Sequence, residues 1–490
     1  MERSNSALAN GKLFKLMLKF SVPCVLSLLI SSLYNVVDQI FIGNSRLGDL
    51  GNAATGVVFP LFLIAQAFAW WFGDGCAAHL NICQGKNAAD GAHRAMGTGI
   101  TFTLIASAAI LAVFYPVKRP FLLLFGASEN SIGLAVEYLD IVLAFFPPFM
   151  LMNAINGIIR ADGSPAWSMA SIISGALVNI ALDAVFIYAL DMGMAGAAWA
   201  TGIGQAVSFA VSAFYLMFRT KTFKLSLKSF IPDFKQAGGA VKLGLSSFVT
   251  QTTIVAIALV SNITLKKYGA ASPYGEDIPL AVMAIESKVF TVVINIVVGI
   301  ILGCQPLVSY NMGAKNYGRV KRIYLSILMC TFAVSVLSTL VFELAPRAVA
   351  GIFGAPKHAD PALYWEFAEK LFRIFLMFVT FTCFIKVSSI FFQAAGKPIS
   401  AVVSSLVRDI VCFIPLALSL PLAFGIDGVL YAAPAADAIA AVVAVIYTAV
   451  FFRSLSRAPS DTDENAPNTV PAAEICDAKI KERLDTSDKT

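Results

Sequence analysis

Charged residues are what this chain has least of: Asp, Glu, Lys and Arg make up 13% of its 490 residues, while apolar types make up 58%. A water-soluble domain carries about 25% charged residues. A soluble fold is therefore excluded, and a bilayer is the solvent that this composition fits. Histidine is scarce as well: the three present, His79, His93 and His358, show no ligand or triad spacing. Cysteine offers no CxxC pair and no zinc pattern. Seven of the eight cysteines lie in apolar runs as packing residues, and Cys476 lies in a polar tail. No HExxH, paired His–carboxylate spacing or GxSxG elbow occurs in the apolar runs, which argues against a membrane-embedded enzyme. Ten-residue segments of alternating polarity are missing too, which removes a membrane β-barrel. Residues 1–13 are short and polar, and the apolar run after them is too long for a signal core, so no cleavable signal is expected.

What is there is long apolar runs. Twelve stretches of span length fall near 16–42, 53–80, 97–116, 132–156, 166–190, 194–218, 241–265, 279–305, 321–345, 368–392, 399–421 and 428–452. They predict an all-α polytopic membrane protein. Net charge is +6, but little of the surface faces water, so these charges bear on membrane orientation rather than on nucleic acid. Lys and Arg outside the runs divide roughly three to one in favour of the side holding the N-terminus. Both termini are therefore expected in the cytoplasm of a cell with this protein in its plasma (inner) membrane, and an even number of spans agrees. The expected organisation is an N-terminal six-helix half at 1–218, a basic cytoplasmic linker at 219–240, a C-terminal six-helix half at 241–453 and a disordered cytoplasmic tail at 454–490.

The two halves repeat one another at an offset of roughly 230 positions. Arg160-Ala-Asp-Gly-Ser-Pro165 faces Gln393-Ala-Ala-Gly-Lys-Pro398, and Gly193, Gly196, Trp199 and Ala200 face Gly425, Gly428, Tyr431 and Ala432. Gly85-Lys-Asn87 faces Gly313-Ala-Lys-Asn316. Three short matches in one order and spacing are hard to assign to chance. Six helices per repeat place both halves in the membrane in the same sense, with a pseudo-axis along the normal and a cavity between them. Alternating access uses such a duplication, which favours a transporter.

Ionisable groups within spans are expensive, so each is a functional candidate. Asp38 lies two thirds of the way along helix 1, and Asp183 lies past the middle of helix 5 with Asn179 one turn earlier on the same face. Thr201 lies near the start of helix 6. Helices 1 and 5 run the same way, so the two carboxylates are expected at similar depth toward the outer side. In a low-dielectric site one of them takes a proton or both share a cation. Neighbouring Asn and Thr oxygens suit Na⁺, by the logic of other hard cations. A polar knot tying helices together is the structural alternative. At the repeat offset Asp183 faces Leu416 and Thr201 faces Ala433, so the second half is expected to lack this site. That half carries Glu286 and Lys288 in helix 8, Arg408-Asp409 in helix 11 and Asp437 in helix 12. Buried Glu–Lys or Asp–Arg ion pairs are the alternative there. Pro23 removes a backbone hydrogen bond in helix 1 and marks a bending point or a static kink. Tyr34 and Asn156 are candidates for the cavity wall. Asp74, Glu137 and Asp140 have no role that the sequence argues.

These motifs resemble the MATE family, the multidrug and toxic-compound extrusion transporters, over about residues 12–453. The resemblance rests on Pro23, Tyr34-Asn-Val-Val-Asp38, the glycine–lysine loops after helices 2 and 8, and Arg160-Ala-Asp-Gly-Ser-Pro165. It rests further on Asn179, Asp183, Gly193-Met-Ala-Gly196 and Gln393-Ala-Ala-Gly-Lys-Pro398. The loop after helix 2 lacks the Asp-Arg-x-Gly-Arg-Arg-like pattern of the major facilitator type. The resemblance implies a V-shaped pair of pseudo-symmetric six-helix bundles around a central cavity. It assigns proton or cation coupling to Asp38, Asn179, Asp183 and Thr201, ties bending of helix 1 at Pro23 to protonation of Asp38, and gives Glu286 a contact with substrate or ion. The implied function is secondary active multidrug efflux, with H⁺ or Na⁺ antiported against amphipathic, cationic organic compounds. No cofactor, metal beyond Na⁺ or nucleic-acid partner is expected, and the working unit is expected to be a monomer in contact with membrane lipid. The alternative within the wider superfamily is a flippase for lipid-linked oligosaccharides.

Overall fold

The computed structural model describes residues 8, 11–86, 92–352 and 360–457. The tail expected at 454–490 lies outside the described residues from 458 onward, as do Asn87 and His358. Among the described residues the chain is helical and contains no strand. The first half is α1 (Leu13–Gly43), α2 (Gly48–Gly85), α3 (Ala92–Leu124), α4 in two pieces (Ile132–Ala144 and Phe146–Ala161), α5 (Pro165–Asp183) and α6 (Gly193–Phe218). The second half is α7 (Phe234–Ala270), α8 (Asp277–Gly313), α9 (Tyr317–Leu344), α10 in two pieces (Pro361–Phe375 and Val379–Ala394), α11 (beginning as Pro398–Leu406 and ending as Ile414–Phe424) and α12 (Ile426–Ser456). Ten helices are long and apolar enough to cross a membrane, and the count reaches 12 when each bent pair is one span. The chain is a multi-pass membrane protein.

The helices depart from the expected runs in three ways. Several are much longer: the 38 residues of α2 reach about 57 Å, against a hydrocarbon core of about 30 Å, so they tilt or project from the bilayer. α4 and α10, expected to be continuous, bend by 56° and 47° at breaks around Phe145 and around 376–378. At α4 the pair Pro147-Pro148 removes two donors and crowds the preceding turn. α10 breaks at the corresponding place without a proline, through i→i+3 bonds from Met377 N–H to Ile374 C=O (3.4 Å) and Val379 N–H to Leu376 C=O (3.2 Å). The break therefore belongs to the architecture, not to proline alone. Finally, π-helical stretches occur at Ala184–Ala189, directly after Asp183, and at Val407–Phe413 inside α11.

The repeat is visible in the backbone. Gly163 and Gly396, just before α5 and α11, have φ +77° and +75°, a conformation that a Cβ makes costly. A proline at the start of α5 and of α11 then sets the helical φ where no donor is needed.

The halves meet along α1 against α8 and α2 against α7. Gly85 and Gly313 cross at one end of this seam: a Cβ on Gly85 would lie 2.1 Å from the Tyr310 carbonyl oxygen, and one on Gly313 would lie 2.2 Å from that of Ile82. Hydrogen bonds between the halves include Ser21 Oγ to Ile300 O (3.0 Å), Trp71 Nε1 to Val241 O (2.9 Å), Gln251 to Gln66 (3.2 Å) and Asn295 to Ser32 (2.5 Å). They run from the linker side to about the middle of the helices, where Gln66, Gln251 and Asn295 lie. The seam is tied on the linker side, and no described hydrogen bond closes it on the far side.

The linker is docked rather than free. Asp162, fully buried after α4, accepts from Tyr215 Oη (2.6 Å), Lys221 N (2.8 Å), Thr222 N (2.8 Å) and Thr222 Oγ1 (2.5 Å). Phe223 is buried in the adjoining apolar cluster with Leu80, Ile158 and Leu216.

Candidate functional site

Four of the expected site residues come together on the far side of the first half. Asp38 stands near the end of α1, and Asp183 stands where the regular turns of α5 give way to the π stretch. The two carboxyls are within reach of one another, and Asn179 lies beside Asp183. Thr201 of α6 reaches the same cluster through Tyr138, which lies near enough to both carboxylates and Tyr34 to feel their charge. Asp183 is fully buried, Asn179 is 2% exposed, and Asp38 and Thr201 are each 9% exposed. Within this cluster Asp38 Oδ1, both Asp183 oxygens and both amide atoms of Asn179 are buried and have no hydrogen-bond partner outside the cluster, although Asp183 lies within reach of both Asp38 and Asn179. Buried polar atoms are normally satisfied, so a group of orphans this dense marks a place built for something that arrives. Four of the five are oxygens, a donor set suited to a proton or to a hard monovalent cation.

The cluster is held from outside. Tyr188 in the π stretch donates to the Phe41 carbonyl (3.1 Å) and packs on the Phe41 ring, and Arg46 pairs with Asp191. These contacts tie the far end of α1 to the segment after Asp183.

Other expected residues fall elsewhere. Asn156, expected on the cavity wall, is 2% exposed and turned into its own bundle. Its Oδ1 accepts from Ser212 (3.3 Å), within a Ser171–Ser208–Ser212 network joining α5 and α6. Asn156 is a helix tie, because an amide buried at a three-helix crossing finds partners there. α1 runs unbroken through Pro23, and Ser27 Oγ bonds the Pro23 carbonyl (2.7 Å). Glu286 is 2% exposed; Ser287 Oγ approaches one oxygen at 3.3 Å and Oε1 has no partner. The Glu286–Lys288 pair considered from the sequence does not form among the described residues, since Lys288 is exposed. Asp74 pairs with Arg160 (3.3 Å) and accepts from Ser247 across the seam (3.1 Å), while Asp140 pairs with Lys118.

The second half has no copy of the Asp–Asn–Asp–Thr set, and of the two pairings open from the sequence the Asp–Arg one forms. A buried polar group sits among α7, α10, α11 and α12, the repeat counterparts of the α1, α4, α5 and α6 that hold the first. Arg408 bonds Asp437 (2.8 Å) and Asp409 (3.0 Å), and Lys386 lies 3.6 Å from Asp409. Thr253 donates to Asp409 (2.7 Å) and Thr382 to Asp437 (2.6 Å). Arg408, Asp409 and Asp437 stand out in the sequence as charges in apolar runs, and the packing of α11 on α12 brings them together.

Two successive stretches of the chain, 23–185 and 246–418, each match the sequence model of the MatE family. The chain belongs to the MatE family. This is a family of transporters, not of enzymes. The chain is 22% identical over 451 residues to the multidrug export protein MepA of Staphylococcus aureus, covering 92% of this chain and 96% of that protein. Its fold matches a structure described as the outward-facing conformation of a multidrug resistance MATE family transporter of the MOP superfamily. The TM-score is 0.82 at 23% identity, over 92% of this chain and 99% of that one. It also matches a MOP superfamily transporter from Pyrococcus furiosus, described as having a binding pocket of reverse polarity, with TM-score 0.84 at 23% identity and the same coverage. At these identities the structures show the fold of the MatE chain and no more.

Four polar participants, Tyr138, Thr253, Thr382 and Lys386, went unnoticed in the sequence. Lys386 lies inside the run expected at 368–392, and the rule that singles out intramembrane charge applies to it. Tyr138, Thr253 and Thr382 carry no such signal, since tyrosine and threonine are ordinary in spans.

Proposed function

We propose that this transporter exports amphipathic, cationic organic compounds by alternating access, driven by inward movement of H⁺ or Na⁺ through the Asp38–Asn179–Asp183–Thr201 cluster. The observation that carries this reading is the set of oxygens on Asp38, Asp183 and Asn179 with no partner outside their cluster, buried on the side where the halves are not tied. A cation or proton arriving there satisfies them, and its departure leaves an unfavourable site that a second conformation relieves. Multidrug export by relatives such as the S. aureus protein supports export of drug-like compounds. Buried Glu286, with an orphan oxygen, supplies the negative charge that a cationic compound would meet.

In this reading the halves are 1–218 and 241–453, the linker and both termini face the cytoplasm of a plasma-membrane protein, and the described conformation is open outward. The chain works as a monomer and uses no cofactor besides the coupling ion. Ethidium efflux from proteoliposomes, with Na⁺ and pH gradients imposed separately, is the direct test. Efflux should follow one or both gradients, and Asp38→Asn and Asp183→Asn should abolish the dependence while the protein still inserts. Unchanged gradient-driven efflux in both variants refutes the assignment.

A further inference from the structure

The two polar clusters occupy repeat-equivalent helices but differ in how their carboxylates are satisfied. In the first half, Asp183 has neither oxygen bonded outside the cluster and Asp38 has one orphan. In the second half, all four carboxylate oxygens are met. Asp409 Oδ1 and Asp437 Oδ1 take Arg408, Asp409 Oδ2 takes Thr253 with Lys386 nearby, and Asp437 Oδ2 takes Thr382. These groups are deeply placed, with side-chain exposures of 12% for Arg408, 1% for Asp409, 3% for Asp437 and 15% for Lys386. Two acids against two bases leave the cluster neutral. Glu286, a further buried acid that makes no ion pair with Arg408 but feels its charge, is outside this balance and keeps an unpartnered oxygen.

We propose that Arg408 and Lys386 are tethered cations that hold the second-half carboxylates permanently neutralised, so that this cluster is a closed cation site and exchange of the coupling ion is confined to the first half. Guanidinium suits the role because it stays charged when buried and reaches two carboxylates from one fork. Thr253 and Thr382 complete the shell from α7 and α10, as Asn179 and Thr201 would around an arriving ion. A bundle whose ion cannot leave has no ion-driven change of state, so the asymmetry decides which half responds to the gradient. The inference rests on the coupling role proposed for Asp38 and Asp183.

Cation counting on the purified full-length protein tests it, using equilibrium binding of radioactive sodium together with protons taken up on acid titration. Arg408→Gln and Lys386→Met should each bind one more monovalent cation per chain than the unsubstituted protein. Adding Asp409→Asn and Asp437→Asn should erase the gain, which separates it from titration at Glu286. Arg408→Lys, which keeps the charge, should show none. Should Arg408→Gln not fold, Lys386→Met carries the test, because its longer contact makes it the milder change. Equal counts in the folded charge-removing variants overturn the proposal. So does loss of a bound sodium from the otherwise unsubstituted protein on Asp409→Asn and Asp437→Asn, since that cluster would then already exchange an ion. Asp38→Asn with Asp183→Asn reports separately on the first half: failure to lower the count refutes the coupling role and leaves the Arg408 gain to be read by itself.

Discussion

Replacing Gly85 by alanine should push the protein away from the conformation tied on its linker side. The added Cβ would sit 2.1 Å from the Tyr310 carbonyl oxygen and 2.8 Å from the Ala314 nitrogen. These are main-chain atoms of a packed helix end, and no flexible side chain can yield. A comfortable carbon–oxygen contact is nearer 3.3 Å, so α2 and α8 must separate by about 1 Å where they cross. Overpacking of this kind costs about 1–3 kcal/mol. The cost falls only on the state in which the two helix ends touch. The population ratio of tied to untied states should therefore fall by roughly 5- to 150-fold. Spin labels at Arg94 and Lys397, both exposed on this side, should report the change as a longer and broader distance distribution in liposomes. Gly313→Ala, which meets the Ile82 carbonyl at 2.2 Å, should do the same. A distance distribution identical to the unsubstituted protein, in a variant that folds and inserts, refutes the view that this crossing forms the closed gate.

Further outcomes follow from the same contacts. Asp162→Ala leaves Tyr215 and Thr222 buried without their acceptor and should lower stability by about 2–4 kcal/mol, read as earlier thermal unfolding in detergent, with Asp162→Asn intermediate. Arg160→Met strips Asp74 of its counter-ion and should cost about 3 kcal/mol in the same assay, with recovery when Asp74→Asn is added. Asn156→Leu should lower stability by about 1 kcal/mol through the Ser212 contact while leaving efflux intact; a changed choice of exported compounds would return Asn156 to the cavity wall.

The sequence made the helical membrane architecture legible because burial in lipid imposes it on composition: long apolar runs admit few other folds. The repeat was legible at Gly163 and Gly396, where the backbone demands a left-handed residue before a proline in both halves. The breaks in α4 and α10 were not. One has a proline pair and the other has none, so only the first left a mark in residue type. Asp38 and Asp183 stood out as acids in apolar runs, but their meeting depends on how α1 packs on α5, which periodicity does not specify.

The same limit explains the second-half cluster. Matching positions at a fixed offset assumes that equivalent chemistry keeps equivalent turns. A buried site instead depends on which side chains the packing of its helices brings together. Asp409 occupies the π stretch of α11, while Asp183 precedes that of α5, and a change of helical winding at this place moves a side chain to another face. Asp437 then enters from α12, where the first half offers Thr201 from α6. Two bundles of the same fold can thus each hold a buried polar group among repeat-equivalent helices and build it from different positions at different depths. What separates them is charge: the centre with its own cations is satisfied as folded, and the centre without them is, on the proposed coupling role, completed by the arriving ion.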